Sequence, residues 1–222
     1  MTSTPAQART TRPVRIAVGE QTLAGDLAIP DRAIGFVAFA HGSGSSRFSS
    51  RNRFVADVLD RHRLATLLID LLTGREEALD DRTAALRFDI EMLAERLLAI
   101  ESWKTQMHDL RALPMGLFGA STGGGAALVA AAMRPGAFRA IVSRGGRPDL
   151  AGAALARVTT PTLLIVGGAD EAVIAMNADA QKQMRCATRL EIVPHATHLF
   201  EEPGALERVA SLAARWFEEH LS

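Results

Sequence analysis

Phe118-Gly119-Ala120-Ser121-Thr122-Gly123-Gly124-Gly125 places a Gly-x-Ser-x-Gly pattern directly after the apolar run Met115 to Phe118 and directly before an Ala-rich segment. The context gives the pattern its meaning. A serine held on a sharp strand-to-helix turn projects its hydroxyl above the sheet, and small residues two before and two after let strand and helix approach closely. A helix starting after Ser121 also points free N–H groups and its positive dipole end at the space above the hydroxyl. Ser121 is therefore the candidate nucleophile.

Outward from this stretch, Gly35 to Ala40, Ala65 to Ile69 and Thr162 to Val166 are nearly continuous in hydrophobicity, as is Met115 to Phe118 itself. Such runs are expected of parallel strands covered on both faces. Ala140 to Val142 and Leu190 to Val193 are candidate fifth and sixth members. Between them lie segments of helical period. In Phe88 to Met107, apolar Ile90, Leu93, Leu97 and Ile100 recur three and four apart, with charges on the other faces. Asn52 to Arg63 repeats the pattern, as does Leu206 to Leu221 with Leu206, Val209, Ala213, Trp216 and Phe217 on one side. At the front, Arg15 to Val18 and Thr22 to Ile29 flank the turn signal Gly19-Glu20, which predicts an antiparallel hairpin. The whole reads as a doubly wound α/β fold whose mostly parallel sheet is flanked by helices and binds ligands at the carboxyl ends of its strands.

A serine nucleophile needs a base, and the base needs an orienting acid. Asp170 follows the strand Thr162 to Val166 through Gly167-Gly168-Ala169, and His198 follows the last candidate strand in Pro194-His195-Ala196-Thr197-His198-Leu199-Phe200. Both would emerge on the Ser121 side of the sheet. Glu171 competes with Asp170 but is placed to begin the next helix, and Asp70 and Asp149 are more distant candidates for the acid. His195 competes with His198, whose longer loop gives it the reach. His62, His108 and His220 fall on helical segments beside charges and read as solvated surface residues.

His41-Gly42-Ser43-Gly44 follows the strand Gly35 to Ala40. There the backbone N–H of Ser43 can converge with that of Thr122 to form an oxyanion hole, while His41 fixes the loop. The loop has neither Gly-x-x-x-x-Gly-Lys-Ser/Thr nor Gly-x-Gly-x-x-Gly, so phosphate cradling is a weak reading. Arg47, Arg144 and Arg147 also follow strands and are candidates to hold a carboxylate or phosphate of the substrate. The competing reading pairs them with loop carboxylates such as Asp149, since arginine supplies all but two of the 25 basic residues. The loop from Leu71 to Arg87 is placed to cover a pocket that Leu72, Leu199 and Phe200 could line.

The 222 residues, 48% of them hydrophobic, suit one large domain over residues 14–222 behind a short flexible tail, residues 1–13. Twenty-five basic against 25 acidic side chains remove the broad positive field that nucleic acid or an anionic membrane surface would need. The longest apolar runs, such as Ala126 to Met133, fall far short of the roughly 18 residues that span a bilayer. The single cysteine, Cys186, reads as a small apolar filler, and no Cys/His spacing resembles a zinc site. A reduced, cytoplasmic setting is expected, with no metal and no cofactor. Nothing in the sequence decides oligomeric state, and a homodimer remains compatible with it.

The motifs HGSGSSR at residue 41, GASTGGG at 119, VSRGGRPDL at 142, LLIVGGADE at 163 and HATHLFEEPG at 195 resemble the α/β-hydrolase superfamily, within it the compact dienelactone-hydrolase-like branch without a large inserted cap. The resemblance runs from Val14 to the C-terminal helix. It implies Ser121 as nucleophile, His198 as base, Asp170 as acid, and the Ser43 and Thr122 amides as oxyanion hole. Dienelactone hydrolases proper carry cysteine at the nucleophile position; serine here points to an esterase for small esters or lactones. Some relatives of this kind occur attached to phosphoribosyltransferase domains. Acyl transfer to an acceptor other than water, and a non-catalytic small-molecule binding module, are the alternative readings.

Overall fold

The computed structural model of the chain describes residues 9–222 and turns each apolar run into a strand. β1 (Arg9–Val18) and β2 (Gln21–Pro30) form the N-terminal hairpin, followed by β3 (Gly35–Ala40), α1 (Ser50–Arg61), β4 (Leu64–Ile69), α2 (Gly74–Thr83) and α3 (Ile90–Gln106). Then come β5 (Met115–Ala120), α4 (Thr122–Met133), β6 (Ala140–Arg144), β7 (Thr162–Gly167), α5 (Glu171–Gln183), β8 (Thr188–Val193) and α6 (Ala205–Leu221). The eight strands make one sheet in the order β1-β2-β4-β3-β5-β6-β7-β8. β3 to β8 run parallel, and β2 joins β4 antiparallel.

Two differences from the sequence reading concern the first hundred residues. Residues 9–13, expected in the flexible tail, belong to β1; Pro13 pairs with Asp26 there. An edge strand tolerates a residue without N–H, so Pro13 is no obstacle to the pairing. Residues 1–8 of that tail lie outside the described residues. The second difference is α2, which occupies most of the segment read as a loop from Leu71 to Arg87. Thr73 accepts from the amide of Glu76 while the Glu76 side chain accepts from the amide of Thr73, a reciprocal capping box that starts the helix.

The core has two halves, one on each sheet face. Leu93, Leu97 and Ile100 of α3 and the alanines of α4 pack with Ile141 of β6 on one face. Val55 and Leu59 of α1 and Val209, Trp216 and Phe217 of α6 pack with Ala140 and Val142 on the other. Burying each large side chain stabilises the fold by roughly 1.5–3 kcal/mol. Alternation along β6 fixes where its last residue goes: Arg144 points to the α1 and α6 side. Cys186, half-buried beyond α5, packs at the margin of the first half. Among the described residues no helix is long and apolar enough to cross a membrane.

The strand order also places the site. The chain leaves β3 towards β4 on one side and leaves β5 towards β6 on the other, so a crevice opens at the carboxyl ends of β3 and β5, where connections diverge. The loop at residue 41 and Ser121 sit at those two ends.

Candidate active site

Ser121 is the turn between β5 and α4, with φ 51° and ψ −120°. A residue with a side chain adopts that conformation only when its surroundings impose it, and the imposed cost is about 1–3 kcal/mol. The restraints are visible. The Ser121 amide donates to the carbonyl of Arg144 at 3.2 Å, and its carbonyl accepts from Gly124 at 2.9 Å and Arg147 at 3.1 Å. The glycines around it are needed for close approach: a Cβ on Gly123 would lie 2.1 Å from the Ala40 carbonyl oxygen, and one on Gly119 2.6 Å from the backbone of Gly123 and Gly124.

Asp170 and His198 come together as expected. His198 Nδ1 lies 2.7 Å from Asp170 Oδ2, which orients the imidazole with Nε2 directed away from the acid. The two loops are joined by backbone first: Ala169 donates to Ala196 O at 2.9 Å, and a Cβ on Gly167 would meet the Ala196 oxygen at 2.4 Å. His198 packs on Gly145, the residue after the one whose carbonyl holds the Ser121 amide. Among the described residues the Ser121 hydroxyl makes no hydrogen bond, to His198 or otherwise. In substrate-free sites of this kind that bond is commonly long and tightens on binding. His195 sits exposed on a left-handed turn at φ 62°, and Glu171 opens α5.

The Thr122 amide, first of α4, has no acceptor within its helix. Ser43 converges on the same place, but its N–H donates to the Thr122 hydroxyl at 2.9 Å, so an internal oxygen occupies the donor. His41 is the strut of this loop. Its Nε2 accepts the Leu71 amide at 2.9 Å and its Nδ1 donates to the Gly42 carbonyl. Accepting at Nε2 requires the neutral ring, and burial pushes its pKa down, partly opposed by the Gly42 hydrogen bond and by Asp70.

Beside these amides lies a cavity of about 280 Å³ lined by His41, Ser43, Leu71, Leu72, Leu93 and Thr122, with Glu77 and Asp81 on its outer wall. Burial, together with the charges of Asp70 and Asp81, raises the Glu77 carboxyl above its ordinary value. α2 carries that wall, held over the cavity by charge. Arg96 of α3, only 5% exposed, donates to Glu76 at 2.9 Å and to the Leu71 carbonyl. Asp80 accepts from the amides of Leu86 and Arg87 at 2.8 and 3.0 Å and from the Arg87 guanidinium. Asn177, fully buried in α5, donates to the carbonyl of Gly146 and so steadies the turn against which Ser121 rests. Sequence reasoning missed Glu76, Asp80, Arg96 and Asn177; the Thr73/Glu76 capping spacing was the only local signal. A larger groove of about 940 Å³ opens at the amino ends of the strands, between Pro114, Pro161 and Leu221, at the end of the sheet opposite Ser121.

Four expectations for substrate contacts, Arg47, Arg147, Phe200 and Leu199, are corrected. Arg47 is spent on Asp70 and on Asp26 at 3.7 Å, and Arg147 is bidentate on Asp149 at 2.8 and 2.7 Å. Phe200 does not line the cavity: a left-handed turn at φ 56° carries its ring into the α1 and α6 half of the core, 1% exposed. Leu199 stays at the surface, and Leu72 lines the cavity as expected. Arg144 is buried on the face of the sheet opposite the cavity. Asp70 and Asp149, the more distant acid candidates, are taken by these ion pairs. His62 meets Glu218, His108 lies beside Asp109, and His220 caps the Trp216 carbonyl.

Sheet order, elbow and acid–histidine pair together define an α/β hydrolase. The chain matches the dienelactone hydrolase family over residues 54–222 and belongs to that family. It is 59% identical to a dienelactone hydrolase from Anabaena variabilis, with a TM-score of 0.94 over 96% of this chain and 99% of that one. Est1E from Butyrivibrio proteoclasticus shares the fold at 17% identity, with a TM-score of 0.77 over 94% of this chain and 98% of that one. Two Mycobacterium tuberculosis proteins provisionally named phosphoribosyl transferases are 55% identical over 94% of this chain. The match takes in 46% of their length, so the chain spans about half of these curated relatives.

Proposed function

We propose that this hydrolase cleaves small carboxylic esters or lactones through an acyl-enzyme on Ser121. The observations that carry the reading are the strained Ser121 turn, its amide held by the Arg144 carbonyl, and the His198 of the Asp170–His198 pair packed on the next residue, Gly145. Ser121 Oγ attacks the carbonyl carbon while His198 Nε2 takes its proton, and Asp170 stabilises the resulting imidazolium. The carbonyl oxygen, now negative, is held by the Thr122 and Ser43 amides, the second released from the Thr122 hydroxyl as the substrate oxygen arrives. Collapse expels the alcohol, which takes the proton from His198. Water, deprotonated by His198, then attacks the acyl-enzyme and frees the acid and Ser121. For a lactone, alcohol and acid are two ends of one product.

The cavity beside the amides is small and its outer wall is acidic, which supports a short, uncharged acyl group. The transferase name belongs to proteins about half of whose length lies outside the match, whereas the groups gathered here are those of acyl chemistry. Labelling with a fluorophosphonate, beside Ser121→Ala, tests the reading. Wild type should label and hydrolyse p-nitrophenyl acetate, and the variant should do neither. An unlabelled, inactive wild type would sink it.

A further inference from the structure

The sheet ends at β1 on one side and at β8 on the other, so each of these strands turns a row of backbone groups away from its neighbour. The two edges are built differently. β1 carries Pro13, which cannot donate, and its charged side chains are all arginines, so a second β1 laid against it would meet like charge. β8 has no proline, and its two charges, Arg189 and Glu191, are opposite in sign. Side chains two apart share a face of a strand, and these two form an ion pair with each other. Ile192, on the other face, is 46% exposed.

The ladder to β7 fixes which residues of β8 look outward. The Thr162 amide donates to the Ala187 carbonyl at 2.9 Å, and the Gly168 amide donates to the Val193 carbonyl at 2.8 Å. Backbone groups alternate sides along a strand, so Ala187, Arg189, Glu191 and Val193 serve β7, while Thr188, Leu190 and Ile192 turn their N–H and C=O to the open edge. The Thr188 carbonyl accepts the Gln181 side-chain amide at 3.0 Å. Among the described residues no strand pairs with the others.

We propose that β8 is the contact face of a homodimer, in which the β8 of a second copy pairs with it antiparallel across a twofold axis at Leu190. The outward residues Thr188, Leu190 and Ile192 are centred on Leu190, and this register alone aligns all three with outward residues of the second copy. Leu190 exchanges both backbone bonds with its own counterpart, and Thr188 does so with Ile192. The Thr188 carbonyl has a second lone pair for that bond beside the one Gln181 takes. Arg189 then faces Glu191 of the second copy at the positions without backbone bonds, where opposed side chains come closest. The two ion pairs merge into a quartet of alternating sign. On the other face Ile192 lies beside the Thr188 side chain of the second copy and loses its exposed surface to the contact. The occupant is a second copy because the charges of this edge complement themselves. Nothing in this interface depends on the reaction assigned to Ser121.

Sedimentation velocity of the full chain, on a dilution series that reaches millimolar concentration, tests the interface. Wild type should sediment as a dimer at the top of the series and dissociate on dilution. Glu191→Arg sets like charges against each other at the twofold and should raise the dissociation constant by about a hundredfold or more. Arg189→Glu combined with Glu191→Arg restores opposite signs in the same register and should dimerise again. Leu190→Pro removes an outward N–H, leaves the β7 ladder whole and should also be monomeric. Circular dichroism checks the fold of each variant; should Leu190→Pro fail to fold, the two charge variants decide. A wild type that is monomeric at every concentration overturns the interface. So does a dimer that survives Glu191→Arg, or a charge-swapped protein that stays monomeric. Ser121→Ala should dimerise like wild type, which separates failure of this interface from failure of the proposed activity.

Discussion

Replacing Ser121 by glycine should stabilise this protein while abolishing its activity, and the comparison with Ser121→Ala isolates the reason. At φ 51° and ψ −120° a Cβ is in a region that costs about 1–3 kcal/mol, whichever side chain it carries. Alanine removes the hydroxyl and keeps that cost. Glycine removes both, and loses about 0.5–1 kcal/mol through the greater freedom of its unfolded chain. The net gain of Ser121→Gly over Ser121→Ala is about 1 kcal/mol, which for 150–250 residues raises the melting midpoint by roughly 2–4 °C. Differential scanning calorimetry of the two variants, with urea unfolding as a second measure, checks it. A glycine variant no more stable than the alanine variant would refute the claim that the elbow stores strain, and with it the best physical sign that this serine is held for chemistry.

Asp170→Asn should fold normally, because the side chain makes no cap bond to α5, yet reduce kcat by on the order of 10⁴-fold through loss of the oriented tautomer of His198; a loss under tenfold on p-nitrophenyl acetate would remove Asp170 from the mechanism. His41 gives a pH prediction. Its folded pKa lies below the ordinary 6.5, so the unfolded chain binds more protons as pH falls below that value, and stability drops with it. His41→Gln, which can still accept from Leu71, should flatten the slope of stability between pH 6.5 and 5, read by urea midpoints; an unchanged slope would clear His41 of the effect.

The fold could be read from the sequence because parallel strands buried on both faces and helices of one apolar stripe leave strong periodic signals. The ends of six strands fell within two residues of the apolar runs that announce them. Ser121, Asp170 and His198 were legible for the same reason, since each follows a strand that was itself legible. What escaped depends on partners distant along the chain. Arg96 lies in a helix among charged neighbours and looks solvated until α2 brings Glu76 to it. Arg47 and Arg147 looked available because pairing with Asp70 and Asp149 is a property of folded loops. Phe200 turned inward through a left-handed backbone that nothing in Thr197-His198-Leu199-Phe200 encodes.

The helix that walls the cavity beside Ser43 and Thr122 sends one buried residue inward, and that residue is the carboxylate Asp80. Among the described residues the charged attachments of α2 are ion pairs to two arginines, Arg87 and Arg96, with their hydrogen bonds, so almost no apolar core would be lost by exchanging it. The elbow is the opposite, a place where one methyl group on Gly119 or Gly123 collides with backbone. Descendants of this chain can therefore reshape that cavity by rewriting residues 73–88, keeping only two clamps, while the elbow stays fixed by glycines that admit no change.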